Sequence, residues 1–303
     1  MDRMTIDYGI DLGTTNSAIA VLGGAQVEVI PNNEGLDYTP SVVWIDRQGG
    51  LVVGRVAKEV LESDPENAYA EFKLQMGTAT EYRFERSGRT FKPEDLSAEV
   101  LKSLRADARQ RRGEELQAAV ITVPAAFELH QCEATNRAAQ LAGFAQSRLL
   151  QEPVAAALAY GFQSQSDKVF WMAYDLGGGT FDAAIIQVRD GLIQVVNHGG
   201  DNHLGGKLID WAIVEELLIP AITRAHPLTD FRRGNPKWRA AIAKLKNAAE
   251  EAKIRVSRDD SATIWIEFLC QDNQGRPVEF EYVLRRADVE RLAEPLILRS
   301  INI

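Results

Sequence analysis

The sequence predicts an α/β protein built from two similar halves, and two observations carry this prediction. Asp-Leu-Gly-Thr-Thr at Asp11–Thr15 returns in altered form as Asp-Leu-Gly-Gly-Gly-Thr at Asp175–Thr180, each directly after an apolar run. Short continuous apolar runs at 118–123 and 169–174 fit strands that are covered on both faces of a sheet, and helical patterns lie between them. The doubled loop therefore indicates two related half-domains that face each other.

Predicted strands surround both loops. Gly and Asn turns separate three short runs at the start of the chain, and two more runs follow the second loop. This order of loop and hairpins occurs twice, which indicates internal duplication. The predicted strands are Tyr8–Ile10, Ser17–Val21, Val27–Ile30, Ala118–Val123, Val169–Tyr174, Ala183–Val188, Gln194–Asn197 and Val278–Leu284.

Helices are predicted where apolar residues recur at helical spacing. Gly143 and Gly161 end two of them and Pro153 begins one, as these residue types commonly do. The polar segment Trp44–Thr90 and the helix-rich segment Asp210–Ile303 look like insertions in the two halves. The predicted helices are Leu96–Arg111, Glu128–Ala142, Pro153–Tyr160, Leu208–Leu218, Pro236–Ile254 and Leu292–Ile303.

Composition and charge disfavour several classes of protein. The chain has 303 residues, a net charge of −9 and a pI of about 5.1, which disfavours a general binder of nucleic acid or of anionic membranes. Cys132 and Cys270 form no Cys-x-x-Cys motif, so neither a disulfide framework nor a zinc site is expected. No signal peptide and no run of about 18 apolar residues occurs, and we expect a soluble, cytoplasmic monomer.

The two loops have the composition of phosphate cradles. Glycine lets backbone N–H groups approach an anion without an intervening Cβ, and threonine hydroxyls add donors. Gly13-Thr14-Thr15 and Gly177-Gly178-Gly179-Thr180 both qualify. Asp11 and Asp175, one at each strand end, could then hold water ligands of Mg²⁺. One such loop alone could also be a strand-end turn with a capping aspartate. The occurrence of two matched loops disfavours this alternative.

Other common site types are disfavoured. The sequence has no Gly-x-x-x-x-Gly-Lys-Ser/Thr, no Gly-x-Gly-x-x-Gly after a strand and no Gly-x-Ser-x-Gly elbow. Its four histidines show no metal-ligand spacing and are expected to be structural or exposed: His130, His198, His203 and His226.

Five segments of the sequence resemble motifs of the DnaK-type, seventy-kilodalton heat-shock chaperones, and along the chain they follow one another in the order that this family has. Gly9–Ser17 resembles their first phosphate motif and Asp175–Asp182 their second. Ala119–Ala125 resembles their connecting strand, Glu152–Gly161 resembles the start of their next helix, and Gly200–Gly206 follows in the family's order. The resemblance covers almost the whole chain. Actin and the sugar kinases are more distant relatives that share the fold and the phosphate-binding loops but not these sequence motifs.

The resemblance implies an actin-like, ribonuclease-H-like ATPase fold, with two lobes of mixed sheets around a central nucleotide cleft. Lobe one would span 1–163, with an outer subdomain at about 41–93 inserted in an inner subdomain of 1–40 and 94–163. Lobe two would span 164–303, with an inner part at about 164–204 and an outer part at about 205–303.

The resemblance also implies a catalytic set. Lys73 matches the family's catalytic lysine, which would stabilise charge near the γ-phosphate. Thr180 matches a threonine near that phosphate, Asp182 would support a cation or the attacking water, and Glu152 would orient metal-bound water, with a possible role as base. Without the resemblance, Lys73 would be taken as a solvated surface lysine, and Glu152 as the first-turn acid of the helix at Pro153.

The nucleotide contacts follow in the same way. Asn16 lies in the first phosphate motif, and Gly205-Gly206 would lie against the β-phosphate at a helix N-terminus. Glu250, Lys253 and Ser257 match the adenosine-contacting helix, where their spacing puts them on one face. Read alone, those three are an ordinary solvated stripe. The implied cofactors are ATP or ADP with Mg²⁺, and K⁺ as a further ion.

Two departures from the family bear most on function. Eight residues after the switch proline, Pro124, the family has an arginine that relays nucleotide state, and in this chain Cys132 occupies that position. Cysteine cannot make those charge-assisted hydrogen bonds, so weak or rerouted coupling is expected. The late Gly-Gly-Ser-x-Arg motif and the peptide-binding domain do not occur before Ile303, so we expect a truncated ATPase domain. J-domain proteins, nucleotide exchange factors and, through the peptide-binding domain, unfolded peptides are the expected partners.

The function that the sequence predicts is Mg-ATP binding and slow hydrolysis in a DnaK-type chaperone. One alternative is a regulatory or scaffold protein of the same fold with little hydrolysis. Cys132 and the absence of the late motif favour this alternative, and Lys73, Glu152 and Thr180 disfavour it. The other is a sugar or acetate kinase of the wider superfamily, which nothing beyond the shared loops supports.

Overall fold

The computed structural model describes residues 6–24, 26–160, 170–189 and 192–303. The chain packs as two compact units, Met1–Lys58 with Glu66–Asn202 and Glu59–Pro65 with His203–Ile303. The predicted division into lobes after residue 163 stays a prediction. Val169 and Gly161, the predicted start of a strand and end of a helix, lie outside the described residues.

The first unit is built on a mixed six-stranded sheet. Its path runs β11-β10-β1-β2-β3, with β4 paired to β2. The pairs β1/β10 and β10/β11 are parallel, and β1/β2 and β2/β3 are antiparallel. These strands are β1 (Tyr8–Asp11), β2 (Asn16–Gly23), β3 (Gln26–Val29), β4 (Thr39–Pro40), β10 (Ala118–Val123) and β11 (Gln146–Gln151).

A second sheet follows the second loop. The strands β12, β13 and β14 form an antiparallel meander in which Asp175 pairs with Asp182. The first loop stands in the same place, between β1 and the antiparallel β2. Strand–loop–strand–strand therefore occurs twice, as the duplicated sequence predicts. The strands are β12 (Phe170–Leu176), β13 (Phe181–Arg189) and β14 (Leu192–Asp201).

The segment predicted to be an insertion, Trp44–Thr90, forms small sheets of strands that are three or four residues long. Strands this short show no clear alternation of apolar and polar residues, and the sequence pattern therefore did not predict them. The strands are β5 (Val42–Ile45), β6 (Leu51–Val53), β7 (Ala68–Ala70), β8 (Tyr82–Phe84) and β9 (Arg89–Phe91), and the helix α1 (Arg55–Val60) lies among them.

Helices cover the larger sheet. The first turn of α2 begins at Pro93 and carries Glu94 and Asp95, which suit the positive end of the helix dipole, and Gly113 ends it at φ 69°. Its start precedes the predicted Leu96 because this capped turn comes before the apolar stripe. Leu96 and Leu101 are fully buried in the core of the unit. The helices are α2 (Pro93–Arg112), α3 (Leu129–Leu141) and α4 (Glu152–Ala159).

The second unit packs helices against an antiparallel hairpin. The predicted single helix Leu208–Leu218 is wrong in its extent. The observed helical segment begins at Gly206, passes into a π-helical stretch at Ile213–Leu218 and continues to Ala225. Pro220, near the start of the helix Ile219–Ala225, has no N–H to donate to the helical hydrogen bonds. The π-helical stretch that precedes it is consistent with this missing donor. The elements are α5 (Gly206–Ala212), α6 (Ile219–Ala225), α7 (Arg239–Val256), β15 (Ser261–Gln271), β16 (Pro277–Arg285) and α8 (Arg286–Ile301).

Among the described residues, no helix combines the length and the apolar character that a membrane crossing requires.

Candidate functional site

The first loop is held closed by hydroxyl groups. The N–H of Gly13 donates to Ser17 Oγ at 3.1 Å, and Ser41 Oγ donates to the carbonyl of Gly13 at 2.8 Å. A Cβ on Gly13 would lie 2.0 Å from the carbonyl oxygen of Asn16. Because such a contact is impossible, only glycine permits this closed turn at the end of β1.

The second loop approaches the first. The N–H of Gly177 donates to the carbonyl of Thr180 at 2.8 Å, which closes the turn between β12 and β13. A Cβ on Gly178 would lie 2.5 Å from Oγ1 of Thr15, and a Cβ on Gly179 would lie 2.9 Å from a carboxylate oxygen of Glu71. The two duplicated loops therefore meet at Thr15 and Gly178.

Both loops line one polar cavity of about 380 Å³ in the first unit. Most residues predicted for phosphate, metal and catalysis lie in its wall. They are Asp11, Gly13, Thr14, Thr15, Asn16, Lys73, Glu152, Asp175, Gly177, Gly178, Thr180 and Asp182.

Lys73 lies at the centre of the charged groups in this cavity. It is 5% exposed, so it is not the solvated surface lysine of the alternative interpretation. Its Nζ donates to Oε1 of Glu152 at 2.6 Å and lies 5.8 Å from the centre of the Phe127 ring. The 3₁₀ turn Phe72–Gln75 that carries it follows Glu71, whose φ of 59° is uncommon for a residue with a side chain.

Three carboxyl groups around Lys73 have raised pKa values. Burial raises the pKa of Glu152 most, Lys73 lowers it, and the charges of Asp11 and Asp182 raise it further. Burial and then Asp11 raise the pKa of Asp175, and burial and then Asp175 raise that of Asp182. These groups repel one another, and Lys73 opposes that repulsion in all three. A cation in the cavity would relieve it.

The cavity fits a phosphate ligand accompanied by a metal ion. Oγ1 of Thr15 is buried and has no hydrogen-bond partner among the described residues, which leaves a donor pointed at the glycine cradle. Within the described part of the chain, no three His, Cys, Asp or Glu side chains cluster closely enough to hold an ion directly. Asp11 and Asp175 are the carboxylates that would hold Mg²⁺ here, because this ion is commonly bound by one or two carboxylates together with waters and the phosphates of the ligand. Asp11 Oδ1 is already oriented, because it accepts from Thr122 Oγ1 at 2.7 Å.

The remaining predicted contacts lie in the second unit. Gly205 precedes the first residue of α5, and the carbonyl of that residue, Gly206, accepts from Lys253 Nζ at 3.0 Å. The side chains of Lys253 and Glu250 are only 20% and 17% exposed, so this part of α7 is not a solvated stripe. Ser257 is exposed and donates its hydroxyl hydrogen to the carbonyl of Ile254 at 2.6 Å.

The two residues of the predicted relay differ in position. Pro124 lines the polar cavity, and Cys132 lies in the first turn of α3, outside its lining. The Cys132 thiol is half-buried, and burial raises its pKa.

Sequence reasoning missed several polar groups that organise these sites. Thr122 stands inside the connecting-strand string, where its contact with Asp11 could have been suspected from the parallel pairing of two central strands. Ser41 and the buried Asp210 and Lys246 had no sequence signal, because such residues are most often exposed.

One comparison bears on identity. The chain matches the family described as Hsp70 protein over residues 7–303, which is nearly its whole length. The mixed α/β architecture agrees with the actin-like ATPase fold of that family. The chain belongs to the Hsp70 family, whose domain is a chaperone ATPase domain.

Proposed function

We propose that this chain binds Mg-ATP and hydrolyses it slowly, as the nucleotide-binding part of a DnaK-type chaperone. The observation that carries the proposal is the polar cavity in which both glycine loops meet the buried Lys73–Glu152 pair. Backbone donors, one fixed ammonium and several carboxylates are the groups that phosphoryl transfer to water requires.

Each group has a proposed role in this reaction. N–H groups of the two loops and the Thr15 hydroxyl hold phosphate oxygens, and Thr180 donates near the phosphate that is transferred. The ammonium of Lys73 stabilises negative charge there. Glu152, held by Lys73, accepts a hydrogen bond from the attacking water, and its raised pKa suits a group that takes up a proton.

Asp11 and Asp175 would hold Mg²⁺ through its waters, and Asp182 would support a cation or the attacking water. The ion supplies charge neutralisation on the phosphate oxygens. Repulsion among these carboxylates is consistent with a cation site, and K⁺ is proposed as a further ion.

In the second unit, Gly205 and Gly206 are the proposed β-phosphate contacts, and Glu250, Lys253 and Ser257 the proposed adenosine contacts. The side chains of Glu250 and Lys253 are half-buried and held by ion pairs, which supports this assignment, since oriented groups bind at a lower entropic cost.

A second candidate function is nucleotide binding with little hydrolysis, in a regulatory or scaffold protein. The half-buried thiol at Cys132, in place of the relay arginine, favours it. J-domain proteins and exchange factors as partners, a cytoplasmic location, a monomeric state and peptide clients bound through a further domain belong to the first proposal.

The deciding experiment is calorimetric titration with Mg-ATP followed by single-turnover hydrolysis. Lys73→Ala should slow hydrolysis by about a hundredfold or more while nucleotide still binds. Lys102, an exposed lysine paired with Glu99 on α2, gives the matched control Lys102→Ala. Binding without hydrolysis in the unaltered chain would favour the second candidate, and equal hydrolysis by both variants would remove Lys73 from the mechanism.

A further inference from the structure

We propose that Asp210 is a positioning residue of the nucleotide site, which acts through Lys253 and Glu250 on ligands that carry adenosine. This inference rests on the proposed function, because it takes those two side chains as the adenosine contacts. Asp210 is the fifth residue of α5, and no motif in the sequence assigns it a role.

Asp210 is the shared partner of two lysines in the interior of the second unit. It is 1% exposed, and Lys246 is 4% exposed. The Nζ atom of Lys253 lies 2.5 Å from Asp210 Oδ1, and that of Lys246 lies 3.9 Å from Asp210 Oδ2. Charges this deeply buried are costly unless they are paired, so the carboxylate fixes where both ammonium groups lie.

This pairing orients the Lys253 ammonium. An ammonium has three donors and no acceptor. Among the described contacts, the carbonyl of Gly206 accepts one of these donors and the Asp210 carboxylate holds the ammonium as an ion pair, so two partners fix where this group lies. A free lysine side chain loses much conformational freedom when it binds a ligand. Asp210 therefore provides an ammonium that is ordered before the ligand arrives.

The same carboxylate reaches Glu250 through Lys246. Nζ of Lys246 lies 2.7 Å from Glu250 Oε2, one helical turn away on α7. The four groups Asp210, Lys246, Glu250 and Lys253 form a neutral cluster of two carboxylates and two ammonium groups. Removal of the Asp210 charge leaves a net positive cluster in which both lysines can turn toward Glu250. Both proposed adenosine contacts then lose their orientation.

A merely structural role for Asp210 predicts a different result. Loosening of α5 against α7 would also displace Gly205 and Gly206, the proposed β-phosphate contacts at the start of α5, and would weaken binding of phosphate ligands with or without adenosine. A positioning role affects only ligands that carry adenosine. Inorganic tripolyphosphate with Mg²⁺ is a probe that has phosphates and no adenosine. Its comparison with Mg-ADP separates the two roles.

The test is calorimetric titration of the full chain and of Asp210→Asn with Mg-ADP and with Mg-tripolyphosphate. We expect Asp210→Asn to raise the Kd for ADP about tenfold, the usual effect of losing a charged hydrogen bond, and to leave tripolyphosphate binding unchanged. Asp210→Glu, which keeps the carboxylate, should recover part of the affinity for ADP. Asp272→Asn is the matched control, because Asp272 is another buried aspartate of the same unit, paired with Arg276 at 2.8 Å.

If Asp210→Asn does not fold, the double variant Asp210→Asn/Lys246→Met keeps the cluster neutral and carries the same prediction. Unchanged ADP affinity in a folded variant overturns the proposal, and so does an equal loss for both ligands. A wild-type chain that binds tripolyphosphate but gains nothing from adenosine contradicts the proposed function itself, and this is seen before any variant is made.

Discussion

The ammonium nitrogen of Lys73 lies 2.6 Å from Oε1 of Glu152, although 79 positions separate the two residues in the chain. Their side chains are 6% and 20% exposed. Burial raises the pKa of Glu152, and the neighbouring ammonium favours its carboxylate form. The pair joins the inserted segment to the start of α4, and it fixes both charges at the wall of the polar cavity.

The pair should show strong energetic coupling. We expect Lys73→Met to lower the free energy of unfolding by about 3 kcal/mol, because it leaves the Glu152 carboxylate buried without its cation. Lys73→Met combined with Glu152→Gln should recover part of that loss. Urea unfolding of the two single variants and the double variant gives a coupling energy of about 1–3 kcal/mol.

The matched control for this cycle is the exposed pair of Lys102 and Glu99 on α2, at 2.8 Å. Its coupling should be only about 0.5 kcal/mol, because water and salt screen exposed ion pairs. Equal coupling in both cycles would show that burial does not strengthen the Lys73–Glu152 pair.

Gly178 should be intolerant of a side chain. Gly178→Ala would put a Cβ 2.5 Å from Thr15 Oγ1, at the point where the two loops meet. We expect the loops to move apart and the affinity for Mg-ATP to fall about tenfold or more, since a phosphate cradle depends on close backbone approach. Gly23→Ala is the control, because its Cβ would meet no atom closer than 4.0 Å. Equal ATP affinity in both variants, measured by calorimetry, would show that the contact is not part of the binding site.

The metal assignment predicts a loss of Mg²⁺ dependence. Asp11→Asn and Asp175→Asn each remove one of the carboxylates that repel each other in the cavity. We expect both variants to bind ATP nearly as well without Mg²⁺ as with it, whereas the wild type should gain about tenfold or more from the ion. Titrations with ATP in Mg²⁺ and in EDTA measure this difference. Variants that keep the full gain would remove Asp11 and Asp175 from the proposed metal site.

The two loops of this site could be predicted from sequence because the Asp-Leu-Gly pattern occurs twice after apolar runs, whereas one such loop alone would also fit an ordinary turn. Ala118–Val123 was also predictable, since its apolar run is typical of a central strand, although its residues alternate between half-buried and buried. The same reasoning was wrong about the burial of β12, which is an edge strand with mostly exposed residues. The Lys73–Glu152 contact was not, because nothing local marks a lysine as buried when its partner lies 79 positions away. The burial of Asp210 and Lys246 could not be predicted either, because it depends on the packing of α5 against α7 and has no local sequence signal.

Arginine at position 132 should leave nucleotide binding intact. Cys132 lies in the first turn of α3 and outside the lining of the polar cavity. We therefore expect Cys132→Arg to bind Mg-ATP with unchanged affinity, and to alter the coupling between ATP and peptide in a chain that also carries a peptide-binding domain. Calorimetry with ATP and peptide-release kinetics measure the two effects. A loss of ATP affinity would mean that the position is not purely a relay.

Asp107 should make the stability of the first unit depend on pH. This aspartate of α2 is 7% exposed and accepts from the N–H of Asn33 at 3.1 Å, and its Oδ2 is buried with no hydrogen-bond partner among the described residues. Burial raises its pKa, while the Asn33 hydrogen bond and Arg111 lower it. The folded state therefore holds this proton more tightly than the unfolded state does.

The protonated Asp107 therefore stabilises the folded state at low pH. This stabilisation is lost as the pH rises from the ordinary pKa of an aspartate in the unfolded chain to the raised pKa of Asp107 in the folded state. Asp107→Asn keeps an oxygen that can accept from Asn33 and does not titrate. We expect the variant to gain stability relative to the wild type as pH rises from about 4 to 7, where an unperturbed aspartate is already ionised. Urea unfolding followed by circular dichroism across this range measures the difference. A difference that is constant with pH, or that reverses in sign, would show that the carboxyl group is ionised in the folded state without cost.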